Sequence, residues 1–363
     1  MALSLLLGAA TTSLSIRLAH KFRVLAMPSA RGSHQVPTPR LGGFGYFVPL
    51  TAIVPVLLLK LGFSYSRADA MESILKTLLC LVVVCGSLAF LIGLMDDILR
   101  LPAAFKLFGQ IICAALFIHL SNQISYEKFA PTERPPEPGR VAAQEEPTAP
   151  KRIEIHRVAL TRDVVLDNRA WSDFTAKLGK FAAHIPPLSV IVAFLWIIAM
   201  MNAYNFMDGI DGLAATFLAA VAVGLFAVYV PEYFHLGPSE WRPHANTVIL
   251  LAATLIGLSV GFLLYNWPPA STFLGDCGSQ YVGFIISAIL AQVARLTGVL
   301  GLSYTVALGP GHVPDSIKRA YVDFLAIVIL VFPFLYDVTY TLARRLVRGK
   351  PIWRAHHEHL YQR

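Results

Sequence analysis

Long apolar runs alternate with short polar islands along this chain, and their spacing predicts helices that cross a bilayer. Runs of about 18 or more apolar residues read as membrane spans. They fall near 1–19, 42–63, 76–95, 103–120, 186–204, 213–231, 246–266, 280–297 and 321–343. The expected fold is all-α, a polytopic transmembrane helix bundle of about nine or ten membrane helices. Four polar clusters each follow an odd-numbered run: Met95-Asp96-Asp97, Asn202 to Gly212, Phe273 to Asp276, and His356-His357-Glu358-His359. A helix that enters a bilayer leaves on the far side, so odd-numbered exits share one face. The polar groups are thereby gathered at one membrane surface, as an active site requires.

The first run lacks the basic segment that opens a signal peptide; Arg17, Lys21 and Arg23 follow it. It reads as a retained helix with its N-terminus outside. The positive-inside rule then places Arg17, Lys21, Arg23, Arg31 and Arg40 inside, with Arg344, Arg345, Arg348, Lys350 and Arg354 after the last run. The clusters lie on that same, cytoplasmic face. Four segments follow: 1–120 with the Asp-Asp loop, 121–185, 186–343, and a basic, His-bearing tail at 344–363. Residues 121–185 carry Pro131, Pro135, Pro136, Pro138, Pro147 and Pro150 beside Glu145-Glu146, the composition of a solvated linker. That insert is expected outside the cell, since long loops translocate largely regardless of charge. A second irregular stretch, 298–320, reads as an outer loop before the last run, with a re-entrant segment as the alternative.

Composition agrees with the pattern. The chain has 363 residues, 56% hydrophobic and 14% charged, with mean hydropathy +0.60. Soluble proteins carry about a quarter charged residues, so a multi-pass protein of the inner (plasma) membrane is expected. A net charge of +8 suits membrane lipid headgroups and phosphorylated substrates, and no nucleic-acid-binding motif accompanies it. Cys80, Cys85, Cys113 and Cys277 form no CxxC pair or zinc spacing and read as small apolar fillers.

The positions of the acids narrow the chemistry. A carboxylate at the centre of a membrane helix costs about 2.5–3.5 kcal/mol on insertion scales. Asp96, Asp97, Asp208, Asp211, Asp276 and Glu358 avoid that cost by sitting at run ends. An ion pump or ion-coupled carrier would place carboxylates at mid-depth, so interfacial chemistry is favoured. Hard oxygen ligands from separate loops are what Mg²⁺ takes when it also holds a diphosphate. Asp276, next to Gly275, lies in a tight loop whose backbone could approach phosphate. Gly209 and Gly212 flank Asp211, and the amides opening the following helix could receive an anion. Asp96-Asp97 crowds two negative charges, which raises one pKa or recruits a cation, and Lys106 stands about three helical turns on. Each feature alone is commonplace: a solvated helix end, a turn, surface histidines. Their shared face makes them a site. Asp337 lies inside the last run, as a partner for Arg344 or Arg345 or shielded in the bundle.

These segments resemble the polyprenyl-phosphate N-acetylhexosamine-1-phosphate transferases, of glycosyltransferase family 4 type. The resemblance is carried by Ser33 to Gly43, Asp96-Asp97 through Lys106-Leu107 and Gln110, Asn202 to Leu213, Phe273 to Ser279, and the terminal His motif, in the family's order. It covers nearly everything except 121–185. The ending Ile352 to Arg363 is closest to the bacterial enzymes that start O-antigen and related glycans. It is less like the branch that transfers phospho-N-acetylmuramoyl-pentapeptide. The insert is longer than the family pattern, and members continue through another helix after the His motif, whereas this chain stops at Arg363. The resemblance implies transfer of N-acetylhexosamine-1-phosphate from a UDP-N-acetylhexosamine to undecaprenyl (polyprenyl) phosphate, with release of UMP. It further implies Mg²⁺, with Mn²⁺ as a substitute, held by Asn205 and Asp276. Asp96, Asp97 and Lys106 become the catalytic set, and Asp208, Gly209, Asp211 and Phe273 the nucleotide site. Arg40, Arg354, His356, His357 and His359 become contacts to substrate phosphate or sugar. Direct attack and an aspartyl covalent intermediate both remain open. So do a homodimer, a carrier, and an inactive scaffold of the same fold.

Overall fold

A computed structural model describes residues 1–28, 36–62, 69–129, 188–235, 242–308 and 315–350, together with Glu358. Among the described residues the chain is helical almost throughout. In order the helices are α1 (Ala2–Phe22), α2 (Phe44–Gly62), α3 (Asp69–Leu99), α4 (Ala103–Phe129) and α5 (Leu188–Met207). They continue as α6 (Leu213–His235), α7 (Arg242–Asn266), α8 (Gly275–Leu308) and α9 (Asp315–Val347). One two-residue antiparallel ladder, β1 (Leu25–Ala26) with β2 (Thr38–Pro39), pairs Leu25 with Pro39 and Ala26 with Thr38. Among the described residues, five helices contain segments long and apolar enough to cross a membrane: Ala2–Phe22, Ala103–Ser121, Val190–Met207, Leu213–Pro231 and Val248–Asn266.

Three boundaries differ from the sequence expectation, each for a local reason. Asp96 and Asp97 sit inside the last turns of α3 rather than beyond its end, because the helix runs on to Leu99. Helix α4 continues to Phe129, past residue 121, because 121–129 contains neither Pro nor Gly to stop it. The stretch 298–320 is largely helical, with α8 reaching Leu308 and α9 starting at Asp315. The remainder of the insert, 130–185, lies outside the described residues.

Helix α8 stands at the centre. Tyr281, Phe284, Ile285, Ser287 and Ala288 are all 2% exposed or less. It packs against α3 and α5, while α1 lies along α7 and α7 along α6. Close approach of backbones, the device of membrane bundles, is strongest at the first turn of α8. A Cβ on Gly43 would come within 2.4 Å of Gly278, and one on Gly93 within 2.2 Å of the Asp276 carbonyl oxygen. These contacts press α3 and the start of α2 onto the residues that carry the site.

Candidate active site

Five chain segments meet at the N-terminal turn of α8. The first four N–H groups of a helix have no partner within it. Here four consecutive N–H groups, from Leu274 to Cys277 at the start of α8, are taken by two aspartates from elsewhere in the chain. Asp208, just past α5, accepts from Leu274 (3.1 Å) and Gly275 (2.8 Å). Asp97, on α3, accepts from Asp276 (3.0 Å) and Cys277 (2.8 Å). Negative charge is favourable at that end of the helix dipole, so the two carboxylates fix α8 against α3 and α5. This corrects the expectation that the Gly275–Asp276 backbone is open to phosphate: its N–H groups are already bonded. The same holds for Gly212, whose N–H donates to Asn266 Oδ1 at 3.0 Å.

Held in this way, Asp276 points into a knot of charge. Arg40 Nη2 lies 3.0 Å from its Oδ2 and 3.4 Å from Asp97 Oδ1. Lys106 Nζ lies 3.0 Å from Asp276 Oδ1 and 2.5 Å from Asp96 Oδ2. Asn205 donates its amide N–H to Asp276 and, at 2.8 Å, to Ser279 Oγ. The three-residue link Arg100–Leu101–Pro102 makes the Lys106 contacts possible by turning α4 straight back on α3. Arg100 takes a left-handed φ of 54° in this turn. Asp96 Oδ1 accepts the Leu101 N–H at 2.8 Å and closes the link. Arg40 is delivered by a strand-like run in which Pro39 O accepts from Phe273 N–H (2.8 Å) and Phe273 O from Gly42 N–H (3.0 Å).

Accessibility divides the knot. The Arg40 and Lys106 side chains are 32% and 20% exposed, against 10% for Asp276, 7% for Asp96 and 0% for Asp97. An incoming anion therefore meets the two cations first. Titration follows the same geometry. Burial alone would push the Asp276 carboxyl up, but Lys106 and Arg40 outweigh it and hold the group below the usual carboxylate range. Burial, reinforced by the Asp276 charge, lifts Asp97 to about 6 against Arg40 and its two backbone donors. Burial also raises Asp96, with Lys106 opposing, and raises Asp208 well above its ordinary value, with its two backbone donors and Arg40 opposing.

The remaining residues singled out in the sequence have these places. Asp211 Oδ2 accepts the Ala270 N–H at 3.0 Å, which ties the α5–α6 turn to the loop after α7. Gly209 is exposed in that turn. Phe273 is 8% exposed, so the ring face that a uracil would meet is covered in this conformation. Asp337 is buried within α9. Glu358 pairs with Arg345 at 2.6 Å, Lys350 at 2.8 Å and Arg344 at 3.7 Å. Arg354, His356, His357 and His359 lie outside the described residues. Two buried amides, Asn266 and Gln280, went unremarked in the sequence, and Ser279 has no role there beyond closing a motif. Asn266, 2% exposed, bridges Gly212 N–H and the Thr272 carbonyl; Ser279 and Gln280 lie one turn into α8. Their signal is periodicity, since Ser279 and Gln280 stand three and four residues beyond Asp276 on one helix face.

In this polytopic helical chain a partly exposed cation pair, Arg40 and Lys106, stands over buried carboxylates, and the sequence that builds the site shows its family. Residues 79–294 match the model of glycosyl transferase family 4, and the chain belongs to that family. Among its relatives is the decaprenyl-phosphate N-acetylglucosaminephosphotransferase of Mycobacterium leprae, 25% identical over 358 residues, 95% of this chain and 71% of the relative. The enzyme of the same name in Mycobacterium tuberculosis is 26% identical over 358 residues, 95% of this chain and 70% of the relative. The probable undecaprenyl-phosphate N-acetylglucosaminyl 1-phosphate transferase of Bacillus subtilis is 25% identical over 360 residues, 99% of this chain and 75% of the relative.

Proposed function

We propose that this chain transfers N-acetylglucosamine-1-phosphate from a UDP-sugar to undecaprenyl or another polyprenyl phosphate at the cytoplasmic face of the plasma membrane. UMP is released, and a cell-surface glycan of the O-antigen or exopolysaccharide kind is begun. The observation that carries the reading is the accessible pair Arg40 and Lys106, held on either side of Asp276. Two phosphorylated substrates must be brought together against their mutual repulsion, so positioning and charge neutralisation supply most of the catalysis. The names of the family members above support N-acetylglucosamine as the sugar and a polyprenyl phosphate as acceptor.

The donor set suits Mg²⁺. Four carboxylates (Asp96, Asp97, Asp208, Asp276) surround two cations, which leaves negative charge to balance. Among the described residues no three Asp, Glu, His or Cys side chains form a ready cage. Mg²⁺ takes one or two protein ligands and completes its shell with phosphate oxygens and water. Asp276 and Asn205 would hold it; a half-turn of the Asn205 amide replaces the N–H now facing Asp276 with its carbonyl oxygen. The ion would supply charge neutralisation at the diphosphate.

The side chains then divide the work. Lys106 and Arg40 receive the diphosphate of the donor. Asp96, beside Lys106, orients the lipid phosphate or takes its remaining proton; with a second pKa near 6, that phosphate is mostly ionised at neutral pH. Asp97 is committed by both oxygens to the α8 backbone and has no exposed surface. That commitment favours direct attack of the lipid phosphate over an Asp97-linked intermediate. Asp208, Gly209, Asp211 and Phe273 border the nucleotide site, and Arg354 with His356, His357 and His359 contacts substrate phosphate or sugar.

Membranes containing the chain, incubated with labelled UDP-GlcNAc and undecaprenyl phosphate, should form a labelled lipid product and UMP only when Mg²⁺ or Mn²⁺ is supplied. Other UDP-sugars in parallel read the sugar preference. Turnover of the muramoyl-pentapeptide donor alone would move the chain to the peptidoglycan branch. No transfer from any donor would leave a scaffold or carrier.

A further inference from the structure

A second polar layer lies directly beneath the charged one. Gln110 and Gln280 are wholly buried at 0% exposure. Gln110 Nε2 donates to Gln280 Oε1 at 2.9 Å and to Asn202 Oδ1 at 3.2 Å. Asn202 Nδ2 returns a bond to Gln110 Oε1 at 2.7 Å and reaches the Ile198 carbonyl at 2.8 Å. The three amides come from α4, α5 and α8, the same helices that supply Lys106, Asn205 and Asp276. Gln110 follows Lys106 by four residues, Gln280 follows Asp276 by four, and Asn202 precedes Asn205 by three. On a helix those intervals put the two residues on one face, one turn apart. The lower layer therefore repeats the upper one in phase, on all three helices.

We infer that Gln110, Asn202 and Gln280 are positioning residues for the transfer reaction, acting through Lys106, Asn205 and Asp276. The inference rests on the reaction proposed above. Apolar seams between membrane helices tolerate rotation and sliding, because one van der Waals contact replaces another. A reciprocal amide pair does not, since a buried donor or acceptor left without its partner is costly. One residue of slip turns a helix by about 100°, which would carry Lys106 away from Asp276. The amide layer fixes the register of α4, α5 and α8, so that the charged side chains meet with little rearrangement when the diphosphate arrives. Gln280 enters through Oε1; its Nε2 is buried without a hydrogen-bond partner among the described residues. Substituting Gln280 consequently removes one link and leaves the reciprocal Gln110–Asn202 pair in place.

The test uses the full chain in detergent, with a donor and lipid acceptor that the wild type turns over. Gln110→Leu, Gln280→Met and the double variant are compared for kcat, for KM of the UDP-sugar and for thermal unfolding. A misplacement of about 1 Å costs on the order of 100-fold. Each single variant should therefore lose roughly 10- to 100-fold in kcat with KM within about 3-fold. The double variant should lose no more than the worse single one, because groups in one network are non-additive. If Gln110→Leu does not fold, Gln280→Met alone decides. A folded variant with wild-type kcat overturns the inference, as do losses that multiply in the double variant or a rise in KM that accounts for the whole loss. A wild-type chain inert toward every UDP-sugar overturns the proposed function instead, which separates the two failures.

Discussion

Residue 275 shows how closely the backbone itself enters the site. Its φ is +74°, in the left-handed region that glycine occupies without penalty, and a Cβ there would lie 1.9 Å from the Arg40 carbonyl oxygen. Gly275→Ala should therefore both strain the turn, by about 1–3 kcal/mol, and push Arg40 away from Asp276. A fall in thermal stability together with a rise in KM for the UDP-sugar would show it; unchanged KM in a folded variant would mean that Arg40 does not depend on this turn. Asp276 offers the cleaner chemical test. Asp276→Asn keeps the size of the side chain and one oxygen, but removes the charge that Lys106 and Arg40 share. Mg²⁺-dependent UMP release should drop at least 100-fold while the unfolding profile stays near wild type. Retained turnover would take Asp276 out of the proposed metal and phosphate role.

The bonds that join helices to one another were harder to read from the sequence than the helices themselves. Nine apolar runs were legible because membrane spans need about 18–20 uninterrupted apolar residues, and a helix overlaps each of them among the described residues. The meeting of Asp96, Lys106, Asn205 and Asp276 was legible from parity and spacing. What each aspartate does was not, because hydrogen-bond partners far apart in sequence leave no local pattern. In the sequence Asp208 reads as a nucleotide ligand and Asp97 as a catalytic residue; both also hold the start of α8, up to 67 and 180 residues away in sequence. Removing such a cap costs about 0.5–2 kcal/mol in a soluble helix. Asp208→Ala should accordingly destabilise the fold by that amount and loosen α5 from α8, lowering kcat more than it raises KM. Were Asp208 a nucleotide ligand above all, the UDP-sugar KM would rise and stability would hold.

At the scale of the whole molecule, α1 supports the site although it contributes no side chain to it. Its buried face is made of Ser4, Gly8, Thr12, Ser15 and Ala19, small residues that let α7 lie close against it. The buried hydroxyls of Ser4, Thr12 and Ser15 bond to carbonyls of their own helix, at 2.7, 2.7 and 2.8 Å, so the seam carries few unmet polar groups. From its end a chain of backbone bonds leads to the charge knot: Val24 N–H to the Ala19 carbonyl at 2.9 Å, then Arg40 N–H to the Val24 carbonyl at 3.2 Å. A wedge in the α1–α7 seam should therefore be felt at Arg40. Gly261 is the place for one, because its Cβ would come within 2.5 Å of the Leu5 carbonyl oxygen. Overpacking costs about 1–3 kcal/mol, and α1 must shift to relieve it. Gly261→Leu should raise KM for the nucleotide sugar several-fold in protein that still folds. The companion variant Val260→Leu, on an exposed position of the same helix, should leave KM and stability unchanged. Equal KM in both folded variants would show that Arg40 is held by the α8 turn alone, with α1 serving only to complete the bundle.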